Sequence, residues 1–181
     1  VQLYDRALIS TETLDSGSAG TLSIAARRVD LTGGSQIRTT TAGVQNAGNL
    51  QLAVADRLTI VGTDSGLFAN TQPGSRGSGG DIAIVAGVID ILNQGRIAVD
   101  SQGVGTGGNL RIQANRLLLD DRGQLSAETG SSQGGNIFLQ LRDFLLLRHN
   151  SRISTTAGTA AAGGDGGNIS ITVPILVGLP R

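Results

Sequence analysis

GGNLRIQANRLLLDDRGQLSAET, residues 107–129, has two close counterparts in the same chain: GGDIAIVAGVIDILNQGRIAVD at 79–100 and GGNIFLQLRDFLLLRHNSRIST at 134–155. Between the copies the apolar positions stay apolar, while the polar letters vary. The second glycine of each such turn falls at Gly20, Gly48, Gly80, Gly108, Gly135 and Gly167, with gaps of 28, 32, 28, 27 and 32 residues. A period in this range signals a solenoid or array, in which one unit cannot bury its own apolar face and stability comes from stacking neighbours.

Each unit holds three alternating runs. The first follows the glycine turn, as in Leu22-x-Ile24, Ile82-x-Ile84 and Leu110-x-Ile112. The second is Val29-x-Leu31, Ile89-x-Ile91 or Leu117-x-Leu119, and the third is anchored on Ile9, Ile37, Leu67, Ile97, Leu125 and Ile153. Alternation with period two is the strand signal. Helical repeats of similar length fit poorly, because β-branched residues are frequent and glycine recurs where a helix needs continuity. The expectation is an all-β chain: a right-handed parallel β-helix of about six coils of roughly 28 residues, three short strands per coil. Coils would stack about 4.8 Å apart, so that equivalent apolar residues form ladders inside and the free letters face water. Residues 1–181 read as a single β-helix segment that is a fragment of a larger repeat protein.

Composition agrees. Hydrophobic residues are 39% of the chain, enough for a core, and aromatics only 2%, which suits narrow, evenly spaced layers of Leu, Ile, Val and Ala. All 14 basic residues are Arg, balanced by 14 acidic ones and spread along the chain, so there is no basic block of the kind that binds nucleic acid. Without Cys there is neither a disulfide nor a thiolate metal site.

The residues after the turn glycine, Thr21, Asn49, Asp81, Asn109, Asn136 and Asn168, would stack into a polar ladder at one corner. Asn and Asp tolerate left-handed backbone and hydrogen-bond the chain locally, so the row of Asn49, Asp81, Asn109, Asn136 and Asn168 is read as a structural turn ladder rather than a ligand-binding row. Insertions fall mostly in the corner after the third strand, at 70–80 and 155–167.

The texture of AGTLSIAARRVDLTGGSQIRTTTAG (19–43) and GGNLRIQANRLLLDDRGQLSAETG (107–130), with the closing GDGGNISITVPILVGLP (164–180), resembles the filamentous-haemagglutinin-like exoproteins with haemagglutination-activity repeats, most of all their large cyanobacterial members. The resemblance spans essentially the whole chain. It implies a secreted, surface-associated filament exported by two-partner secretion through an outer-membrane transporter, with a role in adhesion, of which this segment is shaft.

The rival is a carbohydrate-active β-helix that binds or cleaves polysaccharide on a lateral face. Cleavage needs clustered carboxylates on one external face. Asp100 and Glu128, each three residues after a third-strand anchor, are the best such pair. His149 is the lone His and reads as an exposed turn residue, because a metal site wants more ligands. The single GGDGGNISI (163–171) is too few copies for a calcium-binding nonapeptide array. No cofactor is expected. Outward positions turn apolar toward the C-terminal coils, where Leu118, Phe138 and Leu146 are a candidate contact surface, either for a partner or for flanking segments of the parent chain. Partners would be neighbouring coils of that chain, copies stacked head to tail, or a cell-surface or polysaccharide receptor.

Overall fold

A computed structural model describes residues 1–14, 17, 19–130, 133–158 and 163–179. Every strand in it pairs parallel with its counterpart one coil away. One sheet runs β1 (Gln2–Leu3), β3 (Leu22–Thr32), β5 (Leu50–Val61), β7 (Ile82–Leu92), β9 (Leu110–Leu119), β11 (Ile137–Arg148) and β13 (Ile169–Thr172), with β14 (Ile175–Leu179) beside β13 on the same neighbour, β11. The other runs β2 (Leu8–Thr13), β4 (Gln36–Thr41), β6 (Gly66–Thr71), β8 (Arg96–Ala98), β10 (Gln124–Ser126) and β12 (Arg152–Ser154). The chain is thus a β-solenoid of about six turns, as the period requires.

The three apolar runs do not become three separate strands. The first and second fuse into one long strand in β3, β5, β7, β9 and β11, and the inter-coil pairing passes through the bend between them. Where neighbouring bends differ in length the register shifts, as from Ala26 opposite Val54 to Arg28 opposite Arg57, whereas β7 and β9 bend alike and stay in register. The bend in β5 holds one residue more than that in β3, so the inward series Leu50, Leu52 and Val54 resumes at Leu58 and Ile60, whereas Leu22, Ile24 and Ala26 resume at Val29 and Leu31.

The ladders inside follow the repeat. Leu22, Leu50, Ile82, Leu110, Ile137 and Ile169 stack in register, as do Ile9, Ile37, Leu67, Ile97, Leu125 and Ile153. Leu50, Leu58, Ile60, Leu67, Ile89, Ile97, Leu117 and Leu125 are wholly shielded from water, and each such side chain contributes about 1.5–3 kcal/mol of transfer free energy.

Two corners hold the backbone differently. At the glycine–asparagine corner the glycines are required by close approach: a Cβ on Gly48 would strike the carbonyl of Gly20, and likewise Gly80 on Gly48, Gly108 on Gly80, Gly135 on Gly108 and Gly167 on Gly135. The left-handed backbone expected at the neighbouring Asn and Asp residues lies instead at the corner between the long and short strands. There Asp5–Arg6, Asn93–Gln94, Asp121–Arg122 and His149–Asn150 occur as consecutive pairs with φ between 41° and 71°.

Candidate functional site

The corner residues form a continuous chain of hydrogen bonds from coil to coil. Asn49 Oδ1 accepts from the Asp81 amide at 3.0 Å, and Asp81 Oδ1 accepts from the Asn109 backbone at 2.7 Å and its side chain at 3.0 Å. Asn109 and Asn136 repeat the pattern, and Asn136 Oδ1 receives both the backbone and side-chain amides of Asn168 at 2.9 and 3.2 Å. These side chains bond the next coil rather than their own turn. Their donors and acceptors are used within the stack, which leaves little for a ligand.

Asp100 and Glu128 lie on adjacent coils, and the Glu128 amide donates to Asp100 Oδ1 at 3.0 Å. Their carboxylates are committed separately. Asp100 is 8% exposed, is ion-paired with Arg96, and accepts weakly from Ser126 Oγ at 3.4 Å. Burial pushes its carboxyl above the ordinary value, and the Arg96 guanidinium only partly offsets that. Glu128 accepts from Ser154 Oγ at 2.8 Å and lies 3.9 Å from Arg152. Each carboxylate has its own arginine and hydroxyl, an arrangement for holding strands together rather than for sharing a proton across a substrate.

His149 is held by Asp120, with Nδ1 2.6 Å from Oδ1, and Asp120 also receives Arg148 at 2.7 Å. Burial acts to raise the Asp120 carboxyl, but the hydrogen bonds from Arg148 and His149 outweigh it and hold it below the ordinary value. No group of three or more His, Cys, Asp or Glu suited to a metal ion occurs among the described residues.

Of the apolar outward residues, Leu118 and Leu146 pair across β9 and β11 and line a shallow depression of about 220 Å³ with Arg57, Val88, Asp90, Arg116 and Phe144. Both are half-buried. Phe138 is not with them: it sits before the bend, 37% exposed, with the Arg111 guanidinium 5.0 Å from its ring centre.

The short-strand face carries a basin of about 450 Å³ whose members the sequence did not single out. Its floor is Gln36, Arg38 and Thr40 of β4, Phe68 and Asn70 of β6, Arg96 of β8 and Gln124 of β10; its walls are Thr63, Asp64 and Gln94 at one corner and Thr71, Gln72 and Gln102 at the other. Neither Asp100 nor Glu128 lines it. A signal was available, since Gln36, Arg96 and Gln124 each stand one residue before a third-strand anchor.

No family model, no curated protein and no solved structure matches this chain.

Proposed function

We propose that the chain is a non-catalytic shaft segment of a secreted, cell-surface-associated, adhesin-like filament. The observation that supports this reading best is the uninterrupted translation of one coil into the next. The core ladders, the glycine contacts and the Asn49–Asn168 hydrogen-bond chain all run between successive coils in the same sense. Such a structure lengthens by adding coils without changing its cross-section. In the parent protein the flanking coils are then its main partners, and the resemblance in repeat texture supplies the secreted setting and the transporter. The carbohydrate-cleaving alternative finds no support in the carboxylates, because Asp100 is buried against Arg96 and neither it nor Glu128 lines the basin.

Electron microscopy of the intact secreted parent tests this. Thin rods of uniform width are expected; compact capped particles, or polysaccharide depolymerisation by the purified chain, would overturn it.

A further inference from the structure

We infer that the basin on the short-strand face is a binding site for an acidic saccharide, an oligomer bearing uronate carboxylates. The inference deepens the surface-filament reading by naming a ligand class, but the site stands on its own geometry.

Three kinds of group converge there. The side-chain amides of Gln72, Gln94 and Gln102 are exposed and have no protein partner among the described residues. Each offers one acceptor and two donors, the complement of a vicinal pair of sugar hydroxyls. Phe68 lines the basin between Arg38 and Ala98 in the ladder, and its ring lies over Gly66, where there is no side chain to displace it. An aromatic ring fixed in this way is a platform for the C–H face of a pyranose. Arg38 supplies the charge. Its nearest carboxylate, Glu12, is 3.9 Å away, and its Nε is buried without a hydrogen-bond partner. The second guanidinium, Arg96, is already engaged by Asp100 and Ser126. Asp64 is the carboxylate among the lining residues, on the corner wall, so an anionic ligand is directed to Arg38.

The shape argues for a saccharide over a peptide. β4, β6, β8 and β10 are each hydrogen-bonded on both sides, so the basin offers no free strand edge for a peptide to extend. It offers instead a rigid face of polar side chains spread over four coils, ~14 Å along the stack. The volume lies within the range of small-molecule sites.

The test is titration of the purified chain, followed by NMR and calorimetry, with a hexamer of galacturonate and with neutral maltohexaose. The uronate hexamer is expected to bind and the neutral hexamer to bind more weakly. Arg38→Gln is expected to weaken uronate binding about tenfold or more, the scale of a lost charge-assisted hydrogen bond, and to leave neutral binding unchanged. Phe68→Leu is expected to weaken both, and Gln113→Ala, on the other sheet, neither. Unchanged thermal melting of each variant keeps the comparison valid, and if Phe68→Leu unfolds, Arg38→Gln and Gln102→Ala decide. Absence of uronate binding up to about 10 mM, or full binding by a folded Arg38→Gln, overturns the site. Equal affinity for the two hexamers overturns the assignment of charge. Rods in the microscope without uronate binding would reject the site alone; uronate binding without rods would reject the shaft alone.

Discussion

Asn109 Oδ1 accepts two hydrogen bonds from a single residue of the next coil, the backbone amide of Asn136 at 3.3 Å and its side-chain amide at 2.9 Å. Asn109 in turn donates both of its own amides to Asp81 on the preceding coil. One side chain therefore ties three coils together. Asn109→Ala leaves the Asn136 amide without that acceptor and is expected to destabilise by about 1–3 kcal/mol in denaturant unfolding. A loss below the measurement error would mean that the corner is held by backbone pairing alone.

Gly108 and Gly20 occupy equivalent corners with different surroundings. A Cβ on Gly108 would collide with the Gly80 carbonyl, whereas one on Gly20 meets nothing within 4 Å. Gly108→Ala must push two coils apart and is expected to cost about 2–4 kcal/mol, while Gly20→Ala stays within about 0.5 kcal/mol. Equal melting shifts for the two would contradict the close stacking at this corner.

Adjacent residues on β5 test which face is inside. Leu52 is 2% exposed and Gln51 points to solvent. Leu52→Asp buries an unpaired charge in the ladder and should cost several kcal/mol or prevent folding. Gln51→Asp should change stability by less than about 0.5 kcal/mol. The reverse order would mean a register slipped by one residue.

The ladders were legible because Leu22, Leu50, Ile82, Leu110 and Ile137 recur at a near-constant offset, and an apolar letter has one use in a stack. The bend after Ala26 was not, because its residues share neither type nor number from coil to coil: Arg27 stands there in β3, Ala55 and Asp56 in β5, Gly87 in β7 and Asn115 in β9. The left-handed corner was hidden for a related reason. Asp5–Arg6, Gly33–Gly34, Asn93–Gln94 and His149–Asn150 share a conformation but not a sequence. The Asp100–Glu128 relation was visible from spacing, yet its commitment to Arg96 and Arg152 depends on which way long side chains swing. Of the basin, only Gln36, Arg96 and Gln124 share one offset in the repeat; the rest are strand and corner positions at several different offsets, so the period points to part of it alone.

The two perturbed carboxylates should titrate in opposite directions. The Asp100 carboxyl lies above its ordinary value of 3.8, chiefly through burial, so the folded state holds the proton more tightly than the unfolded chain. Its contribution to stability is greatest below that value and declines as pH rises through the folded pKa. Asp120 lies below 3.8, because the bonds from Arg148 and His149 outweigh its burial. Its contribution is present above 3.8 and is lost as pH falls through the folded pKa. Carboxyl ¹³C NMR titration should find Asp100 protonating at higher pH than Asp120, and the opposite order would contradict the environments described.

Serial stacking of coils underlies both the shaft and the basin, and one distance tests it. Ser23, Gln51, Ala83, Arg111, Phe138 and Ser170 form a single outward column from β3 to β13. The chain has no cysteine, so Ser23→Cys with Ser170→Cys gives two unique spin-label sites. Electron–electron double resonance on the doubly labelled protein is expected to show one narrow distribution corresponding to a backbone separation of ~24 Å, five inter-strand spacings. A broad distribution, or a separation far from that value, would contradict the stacked solenoid.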